Sequence, residues 1–223
     1  MIPFHLRQCE RPSCRFRFPV TDDRQTGELC PHCGAPTRLV IDYPRWERPS
    51  PAPHTNGPIV EALLDNIRSV YNVGSIFRTA DGAGLRHIHL CGITPPPNHP
   101  KTAKTALGAE LAVAWTPYRN GLDTAVTLQE RGYHLWAIED SPQAESLFAE
   151  RLFAAPDLPE GSPVVLVVGN EIAGIDPEIL ARCDRVLRIP MLGQKKSLNV
   201  ASAFGIAAYA VRFGLTALME IPL

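Results

Sequence analysis

The chain has 223 residues, enough for one large domain or for one domain with a small module attached. Hydrophobic residues make up 45% of the chain, charged residues make up 20%, and the formal net charge is −1. These values are ordinary for a globular protein. They argue against a chain that binds polyanions over its whole surface, but they are compatible with a local basic patch.

The chain begins with MIPFHLRQCERPSC, which contains no apolar core of signal-peptide length. We therefore expect a cytoplasmic protein. Thiols stay reduced in that compartment, so its cysteines are better interpreted as metal ligands or core residues than as disulfides.

Four of the six cysteines lie in the first 33 residues, as the motifs CERPSC and CPHC. Two short cysteine turns can supply the four thiolates of a tetrahedral zinc site. A module of about forty residues buries too little surface to fold alone, so a metal would provide the missing stability. We predict a zinc-ribbon-like module over residues 1–42 with zinc bound by Cys9, Cys14, Cys30 and Cys33. Two unrelated cysteine pairs, or a redox pair at Cys30 and Cys33, are the alternatives.

Arginines and aromatic residues alternate in the segment RPSCRFRF, which contains Arg11, Arg15, Phe16, Arg17 and Phe18. Arginine pairs with phosphate, and aromatic rings stack on unpaired bases, so this segment is a candidate RNA contact. The alternative is that the two phenylalanines form the small core of the module and the arginines are only solvated. The sequence does not separate these interpretations.

Five prolines in YPRWERPSPAPHTNGP indicate a semi-rigid linker over residues 43–58. From residue 59 onward, short apolar segments alternate with segments of helical periodicity. We predict strands at 58–65, 87–93, 111–118, 133–140, 162–171 and 185–190. We predict helices at 72–84, 121–132, 144–153, 176–183 and 200–219, and a proline-rich basic loop at 95–110. Strands as apolar as VVLVV are typical of a parallel sheet with helices on both faces.

Three segments at predicted strand ends are rich in polar residues, and ligands of such sheets bind at the carboxyl ends of the strands. They are NIRSVYNVGSIFR, GNEIAGID and PMLGQKKSLNVAS. None of them has the three glycines of a dinucleotide fingerprint or the Lys-Ser/Thr of a phosphate-binding P-loop. The common cofactor motifs of α/β sheets are therefore excluded.

In this order, NVGSIFRTAD, LVVGNEIAGID and RIPMLGQKKSLNVASAFGIAAY resemble the three motifs of the SpoU (TrmH-like) family of RNA ribose 2′-O-methyltransferases, within the SPOUT superfamily. The resemblance covers residues 59–220. It implies an α/β domain over residues 59–223 with a deep C-terminal trefoil knot. It also implies S-adenosyl-L-methionine as cofactor, ribosomal or transfer RNA as substrate, and a homodimer. The cysteine module is an addition to the family core.

The resemblance also assigns roles to individual residues. It implies cofactor contacts at Gly169, Ile189, Met191 and Leu198, and we expect that a Cβ at Gly169 would block the cofactor. It implies catalytic or substrate contacts at Asn72, Arg78, Glu171, Ser197 and Asn199. Asn72 and Asn199 are alternatively helix caps, and Ser197 is alternatively a solvated loop residue.

A guanidinium rarely gives up its proton, so we expect Arg78 to hold a phosphate and stabilise a developing alkoxide rather than act as a base. Three roles remain open for Glu171: accepting a proton, orienting Arg78, or fixing a loop. Lys195 and Lys196 either contact phosphate or are only solvated, and Lys101 and Lys104 are further candidates for phosphate contacts.

The segment from Val200 to Met219 carries a single charge, Arg212, and many small residues. We interpret it as a helix buried between protein layers, not as a membrane span. The resemblance implies that this helix packs inside the knot and against a partner subunit. A non-catalytic knotted RNA-binding relative and a SPOUT base methyltransferase are the alternative functions.

Overall fold

A computed structural model of the protein describes residues 4–21, 27–43, 58–149, 152 and 161–218. Apart from its two end residues, the predicted linker at 43–58 lies outside these ranges. The chain divides into two compact units, Met1–Pro53 and His54–Leu223, which are described separately below.

The first unit contains a three-stranded antiparallel sheet with the strand order β2-β1-β3. Its strands are β1 (Phe4–Cys9), β2 (Arg17–Thr21) and β3 (Thr37–Tyr43). The turn before β2 contains Cys14, and the turn before β3 contains Cys30 and Cys33. Gly34 closes the second turn with φ +69°, and its amide donates to the Cys30 carbonyl at 2.8 Å. Glycine adopts this left-handed conformation without a steric penalty.

The second unit is built on a seven-stranded sheet in which every recorded strand pair is parallel, with the order β6-β5-β4-β9-β7-β10-β8. Its strands are β4 (Val60–Asp65), β5 (His87–Cys91), β6 (Ala114–Tyr118), β7 (His134–Ile138), β8 (Glu145–Ser146), β9 (Val164–Val168) and β10 (Arg185–Arg188). All side chains of β4 and β9 are buried, including Glu61 and Asp65 of β4, and burial on both faces explains the uninterrupted apolar sequence of β9.

Helices cover both faces of this sheet and create two hydrophobic cores. The helices are α1 (Val70–Ala83), α2 (Pro100–Ala106), α3 (Ala109–Ala112), α4 (Gly121–Glu130), α5 (Pro177–Leu180) and α6 (Val200–Leu218). One core contains Phe77 of α1 and Phe204 of α6, and the other contains Leu128 of α4 and Ile179 of α5. The predicted α/β class with a parallel sheet is confirmed, while the knot stays a prediction.

Two predicted elements were wrong. The segment 95–110, expected to be a loop, contains the helix α2 and the start of α3. Proline is compatible with the first turn of a helix, and the His99 side chain caps α2 by accepting from the Lys101 amide. The described part of 144–153 is not helical, because Glu145 and Ser146 pair with β10 as the short edge strand β8.

The helix α6 is half covered within the chain. Phe204, Ala207, Ala208 and Val211 are fully buried against the sheet and α1. Arg212 is also buried, and its guanidinium donates to the Pro58 carbonyl at 2.6 Å, which compensates the loss of hydration. Across the part of the chain that the structure describes, no helix combines the length and hydrophobicity needed to cross a membrane.

Candidate functional site

A cavity of about 310 Å³ lies where β7, β9 and β10 end and α6 begins. Its size is within the usual range of small-molecule sites, and its position matches the rule that ligands bind at the carboxyl ends of parallel strands. The lining residues are Ile138, Glu139, Asp140, Val168, Gly169, Asn170, Glu171, Ile172, Gly174, Leu187, Arg188, Ile189, Met191, Lys196, Ser197, Leu198, Asn199, Val200 and Ala203.

The structure brings most of the site residues expected from the sequence to this one cavity. Seven of them line it, namely Gly169, Glu171, Ile189, Met191, Ser197, Leu198 and Asn199. They come from the second and third motifs. The two from the first motif, Asn72 and Arg78, do not line it and differ from each other in their surroundings.

The carboxylate of Glu171 joins the second motif to the first. It accepts hydrogen bonds from the backbone amides of Arg68 and Ser69, both at 3.0 Å, and from the side-chain amide of Asn72 at 2.9 Å. These donors belong to the start of α1, where a helix leaves amides unpaired and favours a negative charge. Glu171 therefore anchors its loop to the first turn of α1.

These contacts also set the ionisation of Glu171. Its partial burial opposes the charged form, but the hydrogen bonds from Arg68, Asn72 and Ser69 outweigh it and hold the pKa of this carboxyl below its usual value. The group is ionised at neutral pH and is a poor proton acceptor. Of the three roles open for Glu171, the geometry favours fixing a loop.

Asn72 continues this connection to the third motif. Its side-chain oxygen accepts from the Asn199 side-chain amide at 3.0 Å. The side-chain oxygen of Asn199 caps α6 by accepting from the Ala201 amide at 2.9 Å. Asn199 therefore caps α6, which is the alternative role that the sequence suggested for it. Asn72 does not cap α1, because the cap of that helix is Ser69. The line Glu171–Asn72–Asn199 links all three motifs.

Gly169 is required for a reason that differs from the one expected. A Cβ at this position would lie 2.3 Å from the carbonyl carbon of Gly174 and 2.3 Å from the amide nitrogen of Ile175. The obstacle to a side chain is therefore backbone of the same loop, not only a bound cofactor. This close approach allows Asn170 and Gly174 to exchange two backbone hydrogen bonds, both at 2.9 Å.

Sequence reasoning missed the two acidic residues that follow β7. Glu139 and Asp140 line the cavity, and Glu139 also accepts from the Ile175 amide at 3.1 Å. The only available signal was the pair of carboxylates at the end of an apolar strand. The adjacency of β7 and β9 makes these residues part of the site, and that adjacency is a property of the fold.

Arg78 lies apart from the cavity. It is exposed on α1 and lines a separate depression of about 580 Å³ together with Lys104 of α2 and Tyr209 of α6. Ser75, Thr79, Thr105 and Leu107 complete this depression. We call it the Arg78 depression. Two cationic side chains at a polar surface are suited to bind phosphate.

The four cysteines of the first unit form a compact cluster, with all sulfur atoms within 4.8 Å of one another. The Cys9 and Cys33 sulfurs are 3.5 Å apart, and those of Cys14 and Cys30 are 3.8 Å apart. Four sulfurs bound tetrahedrally to zinc at about 2.3 Å would be separated by about 3.8 Å, so the donor set and its spacing fit this ion. The distances are too long for disulfides, and none of the four cysteines is in one.

A family model described as the SpoU rRNA Methylase family matches residues 60–209, about two thirds of the chain. The chain belongs to the SpoU rRNA Methylase family. The match contains the residues that surround the cavity and the Arg78 depression. The cysteine module precedes it.

A curated relative is the 23S rRNA (guanosine-2′-O-)-methyltransferase RlmB of Ralstonia nicotianae, which is 32% identical over 70% of this chain and 59% of its own length. The chain spans 56–60% of the length of the curated relatives that it matches.

Two solved structures are also similar. An AdoMet-bound rRNA methyltransferase from Sinorhizobium meliloti has a TM-score of 0.63 and 29% identity, covering 72% of this chain and 58% of that one. A structure reported for 2-OH methylation of C/U34 on tRNA has a TM-score of 0.58 and 29% identity, covering 72% of this chain and 98% of that one. Almost the whole of the second chain therefore corresponds to a part of this one.

Proposed function

We propose that this protein transfers a methyl group to a ribose 2′-hydroxyl of ribosomal or transfer RNA. The observation that carries the proposal is the convergence of the second and third motifs on one cavity, with the first motif hydrogen-bonded to both. In the proposal S-adenosyl-L-methionine, when bound, supplies the methyl group from its sulfonium centre. The AdoMet bound to the related methyltransferase from Sinorhizobium meliloti supports this choice of cofactor.

The residues that would hold the cofactor are Gly169, Ile189, Met191 and Leu198, which all line the cavity. Ile189 packs against the core, and Leu198 is partly exposed beside the start of α6, so apolar surface is available on two sides of the cavity. Glu171, Asn72 and Asn199 would keep these loops in place. Such preorganisation matters because methyl transfer requires the reacting atoms in line and close together.

Ser197 and Asn199 line the cavity and are exposed, and we propose that the ribose binds beside them. In the proposed transfer the 2′-oxygen would bond to the methyl carbon as the methyl–sulfur bond breaks, S-adenosyl-L-homocysteine would leave, and the hydroxyl proton would pass to solvent water. In the proposal Arg78 stays protonated and binds the adjoining phosphate, together with Lys104 in the Arg78 depression.

A homodimer is part of the proposal. On the outer face of α6, Ile206, Tyr209 and Phe213 are exposed at a spacing of three and four residues, which forms an apolar stripe. Tyr209 also lines the Arg78 depression. Pairing of two copies through this stripe would bury it and would bring Arg78 to the edge of the interface.

The direct test is transfer of labelled methyl from S-adenosyl-L-methionine to total RNA, followed by nucleoside analysis. We expect 2′-O-methylated nucleosides with the wild-type protein and none with Asn199→Ala. Binding of cofactor without labelling of any RNA pool would favour the non-catalytic alternative. Label on a base would favour the base methyltransferase. Mapping ribose methylation in cells with and without the protein identifies the RNA.

We also propose that Cys9, Cys14, Cys30 and Cys33 bind one structural zinc ion. Their sulfur spacing supports a tetrahedral site, and the small sheet needs such a link to be stable. Metal analysis of protein purified without chelator is expected to give one zinc per chain. Cys33→Ser should lower this content, whereas Cys183→Ser, which changes a cysteine of the second unit, should not. Metal-free wild-type protein would contradict this assignment.

A further inference from the structure

Three aromatic rings form a continuous stack on the cysteine module. The Phe16 and Phe18 ring centroids are 5.9 Å apart with 30° between the planes, and those of Phe16 and His32 are 5.8 Å apart with 24° between the planes. Phe16 is in the middle of the stack and is 42% exposed, and His32 is exposed as well. We call this group the Phe16 platform.

The platform is attached to the cysteine turns themselves. Phe16 directly follows the turn that contains Cys14, and its carbonyl accepts from the Cys9 amide at 2.8 Å. His32 lies between Cys30 and Cys33 in the second turn. The rings are therefore positioned by the same backbone that gathers the four sulfurs. Rings held in place in advance lose little conformational freedom when a ligand binds.

The platform is not the core of the module. The buried residues of the described part of the first unit include Cys9, Val20 and Cys30, and they do not include Phe16 or Phe18. Exposed neighbouring aromatic rings leave apolar surface in contact with water, which is unfavourable unless a ligand covers it. This observation separates the two interpretations that the sequence left open.

The charges around the platform indicate which ligand covers it. Arg11 and Arg15 are both exposed, and within the described residues neither of them has an ion-pair partner. Arg11 and Arg15 belong to one turn, in which the Arg15 amide donates to the Arg11 carbonyl. Exposed rings beside unpaired guanidinium groups match the bases and phosphates of single-stranded RNA. An apolar protein partner would not use these charges.

We infer that the Phe16 platform binds unpaired nucleobases of the RNA by stacking, while the neighbouring arginines contact its phosphates. The inference rests on the proposed function, because it adds a recognition surface for the same RNA substrate. It assigns the module a role beyond structure: selecting RNA that carries unpaired nucleotides.

A matched control is available on the opposite face of the same sheet. In β1, Arg7 pairs with Phe18, whereas the adjacent Leu6 pairs with Pro19 and Ile41. Because neighbouring residues of a strand point to opposite faces, Ile41 lies on the face away from Phe18. Ile41 is 40% exposed, nearly the same as Phe16. Ile41→Ala therefore removes similar exposed apolar surface outside the platform.

The experiment measures binding of the full-length protein to a fluorescein-labelled oligouridylate and to an RNA hairpin by fluorescence anisotropy. We expect Phe16→Ala to weaken oligouridylate binding about tenfold, since loss of one base–ring stack has effects of this order. Hairpin binding should change less, because its bases are paired. Phe16→Trp should retain the affinity, and Ile41→Ala should leave it unchanged. Zinc content and thermal unfolding establish that each variant is folded.

Arg15→Ala tests the phosphate contacts separately. It should reduce the slope of log affinity against log salt by about 0.7, whereas Phe16→Ala should lower the affinity without changing this slope. Equal affinities of Phe16→Ala and Ile41→Ala for oligouridylate would overturn the inference even if methyl transfer to RNA is observed. Conversely, a selective loss in Phe16→Ala together with no methyl transfer would support the platform and refute the proposed function.

Discussion

Asn72 and Arg78 belong to the same ten-residue motif and the same helix, but they contribute to different surfaces. Asn72 is hydrogen-bonded to Glu171 and Asn199 behind the cavity, whereas Arg78 is exposed in a depression with Lys104. Six residues along an α-helix correspond to a rise of about 9 Å and a net rotation of about 240°. One short motif therefore supports two tasks: assembling the cavity at its start and presenting a cation near its end.

This comparison predicts that changes on the cavity side impair cofactor binding and that changes on the Arg78 side impair catalysis or RNA binding alone. Four variants test that separation.

Gly169→Ala should have the largest effect. The added Cβ would meet backbone atoms of Gly174 and Ile175, which cannot rotate away, so we expect a loss of about 3 kcal/mol in the free energy of unfolding and loss of cofactor binding. Denaturant titration and calorimetry measure the two quantities. The control is Gly205→Ala on α6, where the Cβ would lie 3.8 Å from Thr79 and helix propensity predicts a gain of up to about 1 kcal/mol. Equal stability of the two variants would contradict the steric argument.

Arg78→Ala should lower kcat for methyl transfer about a hundredfold, because the cation proposed to hold the phosphate next to the reacting ribose, and so to position the 2′-hydroxyl, is lost. Cofactor affinity should stay within about twofold, since Arg78 does not line the cavity. Single-turnover kinetics and calorimetry separate these effects. A parallel loss of cofactor affinity would show that the two ends of α1 are not independent.

Glu171→Gln should weaken cofactor binding about tenfold, because the neutral amide cannot replace the charge-assisted bonds to Arg68, Ser69 and Asn72. The folded-state pKa of Glu171 is depressed, so its stabilising effect is present above the unfolded pKa and is lost as pH falls through the lower folded value. Unfolding curves of wild type and variant should therefore converge in acid. The control is Glu178→Gln, which changes an exposed acid outside the cavity. If the free energies of unfolding of wild type and Glu171→Gln differed by the same amount at all pH values, the role given to the charge would be contradicted.

Lys104→Ala should have the smallest effect, a rise of about threefold in KM for RNA with kcat and cofactor affinity unchanged, since one exposed phosphate contact is removed. Lys101→Ala is the matched control, because Lys101 is exposed on the same helix but does not line the Arg78 depression. Equal effects of both variants on KM would mean that the depression has no special part in RNA binding.

The sequence predicted some elements better than others, for identifiable reasons. The strand at 164–168 has a continuous apolar sequence. The helix α1 has a periodic apolar pattern and a clear end at Gly84, which caps it in the left-handed conformation. The segment 95–110 was misjudged because its prolines suggested a loop, although Pro100 occupies a first helical turn. At 144–149 the pairing of Glu145 and Ser146 with β10 overrides the local helical pattern.

The residues of the cavity were named from the order and spacing of three motifs, a signal contained in the linear sequence. The sequence by itself also determined the alternation of strands and helices and the pairing of the cysteines into two short turns, because these depend on near neighbours in the chain. Only the tertiary structure decided that Glu139 joins the cavity, that Glu171 is held by amides at the start of α1, and that Arg78 lies beside Lys104 and Tyr209 outside the cavity. These features depend on which strands lie side by side and on the direction each helix face takes in space, and contacts between residues a hundred positions apart fix both.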